Sequence, residues 1–70
     1  MNISYNKLWK LLIDKNMKKK DLRVAARISA NTIARMGKNE PVSLEVLVKI
    51  CKAFSCDIGD IVEVVPDDRD

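Results

Sequence analysis

Residues 19–38 of this 70-residue chain read KKDLRVAARISANTIARMGK, and the architecture of the chain follows from them. Their apolar residues fall into two groups with the spacing of a helix face, which predicts one helix over 19–26 and a second over 30–36. Neither helix is long enough to be stable alone in water, so each depends on packing. Residues 27–29 make a short turn, and two short helices joined in this way form a helix-turn-helix.

The outer side of the second helix carries side chains that can recognise DNA. Ile33 and Met36 point toward the core, which leaves Asn31 and Arg35 on the opposite side with Ala30. Asn can bond bidentately to adenine, and Arg to guanine, in the major groove. We therefore predict that this helix enters the major groove of double-stranded DNA.

Length and composition indicate one small domain over residues 1–70. Apolar residues make up 47% of the chain, which is enough for a folded core and too much for a disordered protein. The predicted organisation is an N-terminal arm or strand (1–5), a helical core (7–62) and a C-terminal strand with an acidic tail (63–70). With no apolar run of about 18 residues and no signal-peptide pattern, we expect no membrane segment and a cytoplasmic location.

The chain lacks the residues that catalytic and metal sites need. It has no His, and its two cysteines, Cys51 and Cys56, are too few for a structural zinc site within one chain. We interpret both as small core residues. Because there is no carboxylate pair in an apolar setting and no Gly-rich phosphate loop, we expect no enzymatic activity, no metal, no cofactor and no small-molecule substrate.

The charges are unevenly distributed along the chain. Residues 7–38 hold ten basic and two acidic side chains, a net +8, whereas residues 39–70 hold three basic and eight acidic side chains, a net −5. A basic half beside an acidic half suggests that a polyanion binds on one side only. A solvated Lys-rich surface would explain the charge split equally well, but the basic half coincides with the helix pair.

The residues before the helix pair predict one further helix. Residues 1–5 form an extended arm or a short strand, and Asn6 is predicted to cap a helix over 7–15. This helix has a leucine stripe with a second apolar pair beside it, so more of its circumference is apolar than a surface helix needs. Asn16 suits the left-handed position that follows a helix.

Residues that favour helix ends mark the boundaries farther along the chain. Ser29 is predicted to cap the second helix of the pair, and Ser43 is predicted to cap a fourth helix over Leu44–Phe54. Gly37 and Asn39, in the loop between these two helices, can take positive φ.

The C-terminal half predicts two helices and a strand. The core face predicted for the fourth helix, with Ile50 at its flank, consists of Leu44, Leu47, Val48, Cys51 and Phe54. A short fifth helix is predicted over 58–62, and the β-branched residues of 63–65 then favour a strand. A lone strand is not stable, so its partner is either residues 3–5 of the same chain or the same strand of a second subunit.

Five short helices in this order resemble a known family. The hydrophobic skeleton that carries the resemblance is Leu8, Leu11, Met17, Leu22, Ala26, Ile28, Ile33, Met36, Leu44, Leu47, Ile50, Cys51, Phe54, Ile58 and Ile61. Over about residues 8–62 the chain resembles the Cro and phage-repressor superfamily, also called the xenobiotic-response-element type. The string 29–36 looks like the recognition helix of that family. The resemblance implies an all-α, five-helix helix-turn-helix domain, to which a short pair of N- and C-terminal β-strands is added here.

The resemblance also implies a function and roles for individual residues. It implies sequence-specific DNA binding by a transcriptional regulator, a repressor. The residues implied to read base edges are Ala30, Asn31 and Arg35. Those implied to contact the DNA backbone are Lys19, Ser29, Thr32, Lys38 and Asn39. Because one module reads few base pairs, we expect a homodimer on half-sites about 34 Å apart.

Three positions depart from the usual pattern of the family. Where the family has Gln, Lys19 keeps a charge for a phosphate but lacks the amide that braces the recognition helix. Where the family has a small Ala, Arg23 must extend outward or open the angle between the two helices. Where the family favours Gly, Arg27 in left-handed geometry costs roughly 1 kcal/mol.

Two alternatives stay open from the residues alone. An apolar recognition helix would indicate a protein-interaction module, such as an antitoxin-like or anti-repressor domain; the alanines of 30–36 lean toward this interpretation and Arg35 leans against it. The surface for a dimer, or for docking of the C-terminal tail, is either the apolar pair Trp9 and Ile13 or the strand over 63–65.

Overall fold

The computed structural model describes residues 2–66, which contain four α-helices and one two-stranded antiparallel sheet. In chain order the elements are β1 (Asn2–Ser4), α1 (Asn6–Asp14), α2 (Lys19–Ala26), α3 (Ala30–Gly37), α4 (Leu44–Phe54) and β2 (Glu63–Val65). No helix among the described residues is long and apolar enough to cross a membrane. The acidic tail predicted after Pro66 lies outside the described residues.

The prediction of a fifth helix over 58–62 is wrong, because this segment forms only a single 3-10 turn, Ile58–Asp60. The turn does not continue, since Ile61 leaves helical geometry with φ −122° and is fully buried. Glu63–Val65 follows closely and contains β-branched residues, which prefer extended backbone. The chain therefore passes from the turn into β2 without a further helix.

The two ends of the described chain pair with each other. Of the two partners considered for the C-terminal strand, the N-terminal segment of the same chain is therefore the one observed. β1 runs antiparallel to β2, with Asn2 opposite Val65, Ile3 opposite Val64 and Ser4 opposite Glu63. The paired segment starts one residue earlier than predicted because Tyr5 leaves the sheet and is buried, with 1% of its surface exposed. Tyr5 thereby joins the N-terminal strand to the core.

The start of α1 differs from the prediction by one residue. The helix begins at Asn6, so Asn6 is not its cap, and the preceding Tyr5 makes no capping bond. The hydroxyl of the buried Ser4 accepts from the Asn6 N–H at 3.2 Å instead. After the helix, Asn16 has φ 55°, as predicted for a residue that tolerates left-handed geometry.

The ends of α2 and α3 follow the predicted pattern except at one residue. Arg27, after α2, is left-handed with φ 55°, and Asn39, after α3, has φ 58°. Ser29 caps α3 as predicted, because its Oγ accepts from the Thr32 N–H at 3.1 Å. Gly37, which the sequence placed in the loop after α3, instead continues α3 as its last residue and does not take positive φ.

α4 turns only part of the predicted stripe toward the core, where the predicted residues that pack are Leu47, Cys51 and Phe54. Ser43 caps it as predicted, accepting from the Val46 N–H at 3.3 Å. Ile50, predicted as a flank, is fully buried, whereas Leu44 is 64% exposed and Val48 is 38% exposed. Because α4 is apolar around most of its circumference, its inward side depends on what packs against it rather than on periodicity.

The core takes side chains from almost every element. The fully buried side chains are Tyr5, Leu8, Leu22, Met36, Ile50 and Ile61. α2 packs against both α3 and α4. Met36, together with the buried Ile33, holds α3 in this core and leaves its other side free for function.

Replacing Arg27 by Gly should stabilise the domain. Arg27 adopts φ 55° and ψ 48°, which is strained for a residue that has a Cβ. We expect Arg27→Gly to raise the free energy of unfolding by about 0.5–1 kcal/mol in a urea titration. Arg27→Ala removes the charge but keeps the Cβ, so it should bring no such gain. An equal gain in both variants would contradict the backbone explanation.

Candidate nucleic-acid interface

α3 presents the three predicted base-reading residues on one exposed side. Ile33 and Met36 are buried beneath the helix. Ala30, Asn31 and Arg35 are exposed on the opposite side. The structure thus brings these three together as the spacing predicted, and their role in reading bases stays a prediction.

Two residues predicted to contact the DNA backbone bond each other at the start of α3. The hydroxyl oxygens of Ser29 and Thr32 lie 2.9 Å apart, and Ser29 also caps the helix. The N–H groups of the first turn, such as those of Ala30 and Asn31, have no carbonyl partner within the helix. Such groups bind anions well, so this end of α3 is suited to a phosphate.

Lys38 and Asn39 follow α3 and line an open cleft beside the N-terminal strand. Asn2 and Asn6 line the same cleft from the other side. These two amides were not predicted, because no local signal in the sequence places the N-terminal arm beside the loop after α3. The buried Tyr5, which lies between Asn2 and Asn6 in the chain, accounts for this placement.

α2 adds basic side chains beside the start of α3. Lys19, Lys20 and Arg23 border a shallow depression that also includes Ala30 and Ile33. Arg23 is exposed, so it extends outward, which is one of the two solutions predicted for it. Arg23 was not among the residues predicted for the interface, although its position four residues after Lys19 on a helix places both on one side.

Arg35 is attached to the loop that follows α3. Its Nη2 donates to the Pro41 carbonyl at 2.8 Å, and its Nε lies 3.7 Å from Glu40 Oε1. Half of the Arg35 side chain is exposed. An exposed ion pair of this kind contributes only about 0–1 kcal/mol, so another acceptor can replace it.

Tyr5 holds the same loop from the core. Its O–H donates to the Glu40 carbonyl at 2.7 Å. Burial raises the pKa of the Tyr5 phenol above its ordinary 10.0, although a backbone hydrogen bond at Val42 and the charge of Arg35 oppose this shift. The phenol is therefore neutral at physiological pH and remains a hydrogen-bond donor to the loop.

Lys19 takes a position that its residue type did not predict. Its Nζ lies 4.7 Å from the centre of the Trp9 ring. A Cβ built on Gly37 would lie 3.6 Å from the same Nζ. Lys19 lacks an amide to brace α3, and its ammonium lies between the Trp9 ring and the end of α3 instead. Of the predicted apolar pair on α1, Trp9 is partly covered and Ile13 is 72% exposed.

The fold and this surface define a class of protein. The sequence matches the Cro/C1-type HTH (helix-turn-helix) DNA-binding domain family over residues 7–67, so the chain belongs to that family. The resemblance predicted from the sequence is thereby confirmed, and the function of the chain is DNA binding in the regulation of transcription.

One solved structure is similar over nearly the whole chain. The crystal structure of the transcriptional regulator VanUg, form II, matches with a TM-score of 0.89 and 57% sequence identity. The match covers 94% of this chain and 88% of the VanUg chain. A comparison with curated proteins gave no match.

Removing the Glu40 carboxylate should strengthen DNA binding. This carboxylate places a negative charge beside α3 and competes for Arg35. We expect Glu40→Gln to lower the Kd for a mixed-sequence duplex by about two- to fivefold, because an exposed ion pair contributes a free energy of only about 0–1 kcal/mol. Fluorescence anisotropy of a labelled duplex measures this Kd. Glu45→Gln, which removes a carboxylate paired with Lys49 on α4, is the control, and an equal effect there would show that only net charge matters.

Proposed function

We propose that α3 lies in the major groove of double-stranded DNA and reads its sequence. In this proposal Ala30, Asn31 and Arg35 contact base edges, the latter two through bidentate hydrogen bonds. Contacts to the DNA backbone come from Lys19, Ser29, Thr32, Lys38 and Asn39. The observation that carries the proposal is the exposed, polar outer side of α3 with the basic residues of α2 beside it.

Arg35 changes partners when the protein binds DNA. In the free protein its guanidinium is bonded to Pro41 and lies near Glu40, at a half-exposed position. On entry into the groove it exchanges these partners for the O6 and N7 acceptors of a guanine. The exchange is inexpensive because the ion pair it replaces is exposed to water.

The alternative of a protein-interaction module has less support from the surface. The outer side of α3 carries Asn31 and Arg35, and basic residues of α2 border it. An anti-repressor or antitoxin-like domain would present mainly apolar side chains there. DNA binding is therefore the function that this surface supports best.

Arg35→Ala should reduce base discrimination, whereas Lys38→Ala should weaken binding to every sequence. An Arg–guanine contact supplies about 1–3 kcal/mol of discrimination, and a lost phosphate contact lowers the salt dependence by about one charge. The operator is first selected from a random library. Anisotropy titrations on the operator and on mixed-sequence DNA, at about 50 and about 200 mM salt, then separate the two effects. Identical behaviour of both variants on both duplexes would show the assignment of roles to be incorrect.

We further propose that the protein binds DNA as a homodimer, since one recognition helix reads too few base pairs for a useful site. Of the two dimer surfaces predicted from the sequence, β2 already uses one edge to pair with β1, and the Trp9 ring is partly covered by Lys19. Another apolar surface is formed by α4 and the turn after it, and we call this surface the α4 face. Its exposed residues are Leu44, Val48 and Ile58.

The α4 face is suited to a second copy of itself. Val48 and Ile58 border a groove that also contains Lys52 and Asp57. Because both charge signs lie on one patch, a two-fold axis can bring Lys52 of one protomer to Asp57 of its partner. A partner of a single charge sign would lack this complementarity, so we infer that a second copy occupies the α4 face.

Val48→Glu should convert the dimer into a monomer. The substitution places a charge among apolar residues, and we expect it to raise the dimer Kd at least about tenfold, the equivalent of about 1.4 kcal/mol. Sedimentation velocity over a concentration series measures the association. Ile13→Glu is the matched control, since Ile13 is 72% exposed on α1 outside the α4 face. A monomeric wild type, or an equal effect of both variants, would overturn the α4 interface.

We propose that the dimer acts as a repressor in the cytoplasm. A dimer bound in the major groove excludes other proteins from the same DNA. Binding by itself can therefore repress transcription. The similar VanUg is a transcriptional regulator, which supports a regulatory role without giving its direction. A reporter gene placed behind the selected operator distinguishes the directions, because its expression falls under a repressor and rises under an activator.

A further inference from the structure

Trp9 is the single tryptophan of the chain, and the assignment of DNA contacts to α2 and α3 gives it no part. The Lys19 ammonium lies over its ring, with Nζ 4.7 Å from the ring centre. This distance is within the limit of about 6 Å for a cation–π contact, for which Trp is the best aromatic partner. Trp9 is partly buried and Lys19 is exposed, so the ammonium covers the outer face of the ring.

The same ammonium lies close to the end of α3. Gly37 is the last residue of α3, and a Cβ built on it would lie 3.6 Å from Lys19 Nζ. The C-terminal end of a helix carries partial negative charge and favours a cation. Lys19 is itself the first residue of α2. One side chain therefore connects α1, the start of α2 and the end of α3.

We propose that Trp9 is a positioning residue for DNA binding, whose ring holds the Lys19 ammonium at this junction and presents it to a phosphate of the DNA backbone. The inference rests on the proposed function, in which Lys19 contacts the backbone. An ammonium has three donors, so it can lie on the ring and still bond a phosphate oxygen. Trp9 touches no DNA in this arrangement and acts through Lys19.

Holding Lys19 in place before DNA arrives lowers the cost of binding. A free Lys side chain samples many rotamers, and ordering it opposes association. Between the Trp9 ring and the end of α3, the side chain is already restricted. The contact also links α1 to α2 and α3. The position of Lys19 relative to these three helices is therefore already set when a phosphate binds it.

A double-mutant cycle tests the coupling between Trp9 and Lys19. The wild type, Trp9→Leu, Lys19→Met and the double variant are titrated with a mixed-sequence duplex at about 50 mM salt. We expect each single substitution to weaken binding about three- to tenfold. The double variant should bind no more weakly than Lys19→Met, because the ring then has no ammonium to position. Losses that simply multiply in the double variant would overturn the inference.

Two further variants separate positioning from a general structural role. Trp9→Phe keeps an aromatic face and should retain most of the affinity that Trp9→Leu loses. Lys20→Met removes the neighbouring charge, and its loss should multiply with that of Trp9→Leu. If Trp9→Leu fails to fold, as judged by circular dichroism, Trp9→Ala takes its place in the cycle, and the NMR test on the wild type decides the inference if neither variant folds.

The salt dependence gives a readout that a structural role would not change. Trp9→Leu alters no charge, yet the slope of log Kd against log salt should fall by about one if Lys19 no longer engages its phosphate. An unchanged slope together with weaker binding would assign Trp9 a structural role and overturn the inference.

The free protein provides a test that is independent of DNA. The ring current of Trp9 should shift the ε-methylene protons of Lys19 upfield in the NMR spectrum, and Trp9→Leu should abolish the shift. If the wild type binds DNA without this shift, the inference fails and the proposed function stands. If the wild type binds no DNA at low salt, the proposed function fails and the inference fails with it.

Discussion

The position of α3 depends on the burial of two of its side chains. A helix of eight residues is too short to be stable alone. Ile33 and Met36, which are 8% and 0% exposed, fix it in the core beside α2. Burial of an apolar side chain of this size stabilises by about 1.5–3 kcal/mol. The caps, loop bonds and charges of the DNA-binding surface act on a helix that these contacts have already placed.

Polar contacts at the edge of the core then place the loop after α3. Tyr5 bonds the Glu40 carbonyl from the core, and Arg35 bonds the Pro41 carbonyl from α3. The loop is therefore held from two sides although it has no regular structure of its own. Lys38 and Asn39 lie in this loop, so two of the proposed DNA contacts depend on how the N-terminal strand delivers Tyr5 to the core.

The three departures from the family pattern are accommodated at the surface. Arg27 adopts a left-handed backbone, which Gly takes at lower cost. Arg23 extends into solvent, and Lys19 lies against the Trp9 ring. Each of these long side chains keeps its charge at the surface, so none of them opens the core. Lys19 and Arg23 thereby place positive charge beside the start of α3.

Local sequence signals were sufficient to predict the four helices, the caps at Ser29 and Ser43, and which side of α3 is buried and which is exposed. The reason is that periodicity and capping act within about four residues. Packing settled the features that depend on distant residues. These are the inward stripe of α4 around Ile50, the 3-10 turn in place of a fifth helix, the strand register and the partners of Arg35 and Lys19. The bond from Tyr5 to Glu40 joins residues 35 positions apart. Contacts of this kind exist only once the helices have met, so a pattern of neighbouring residues does not contain them.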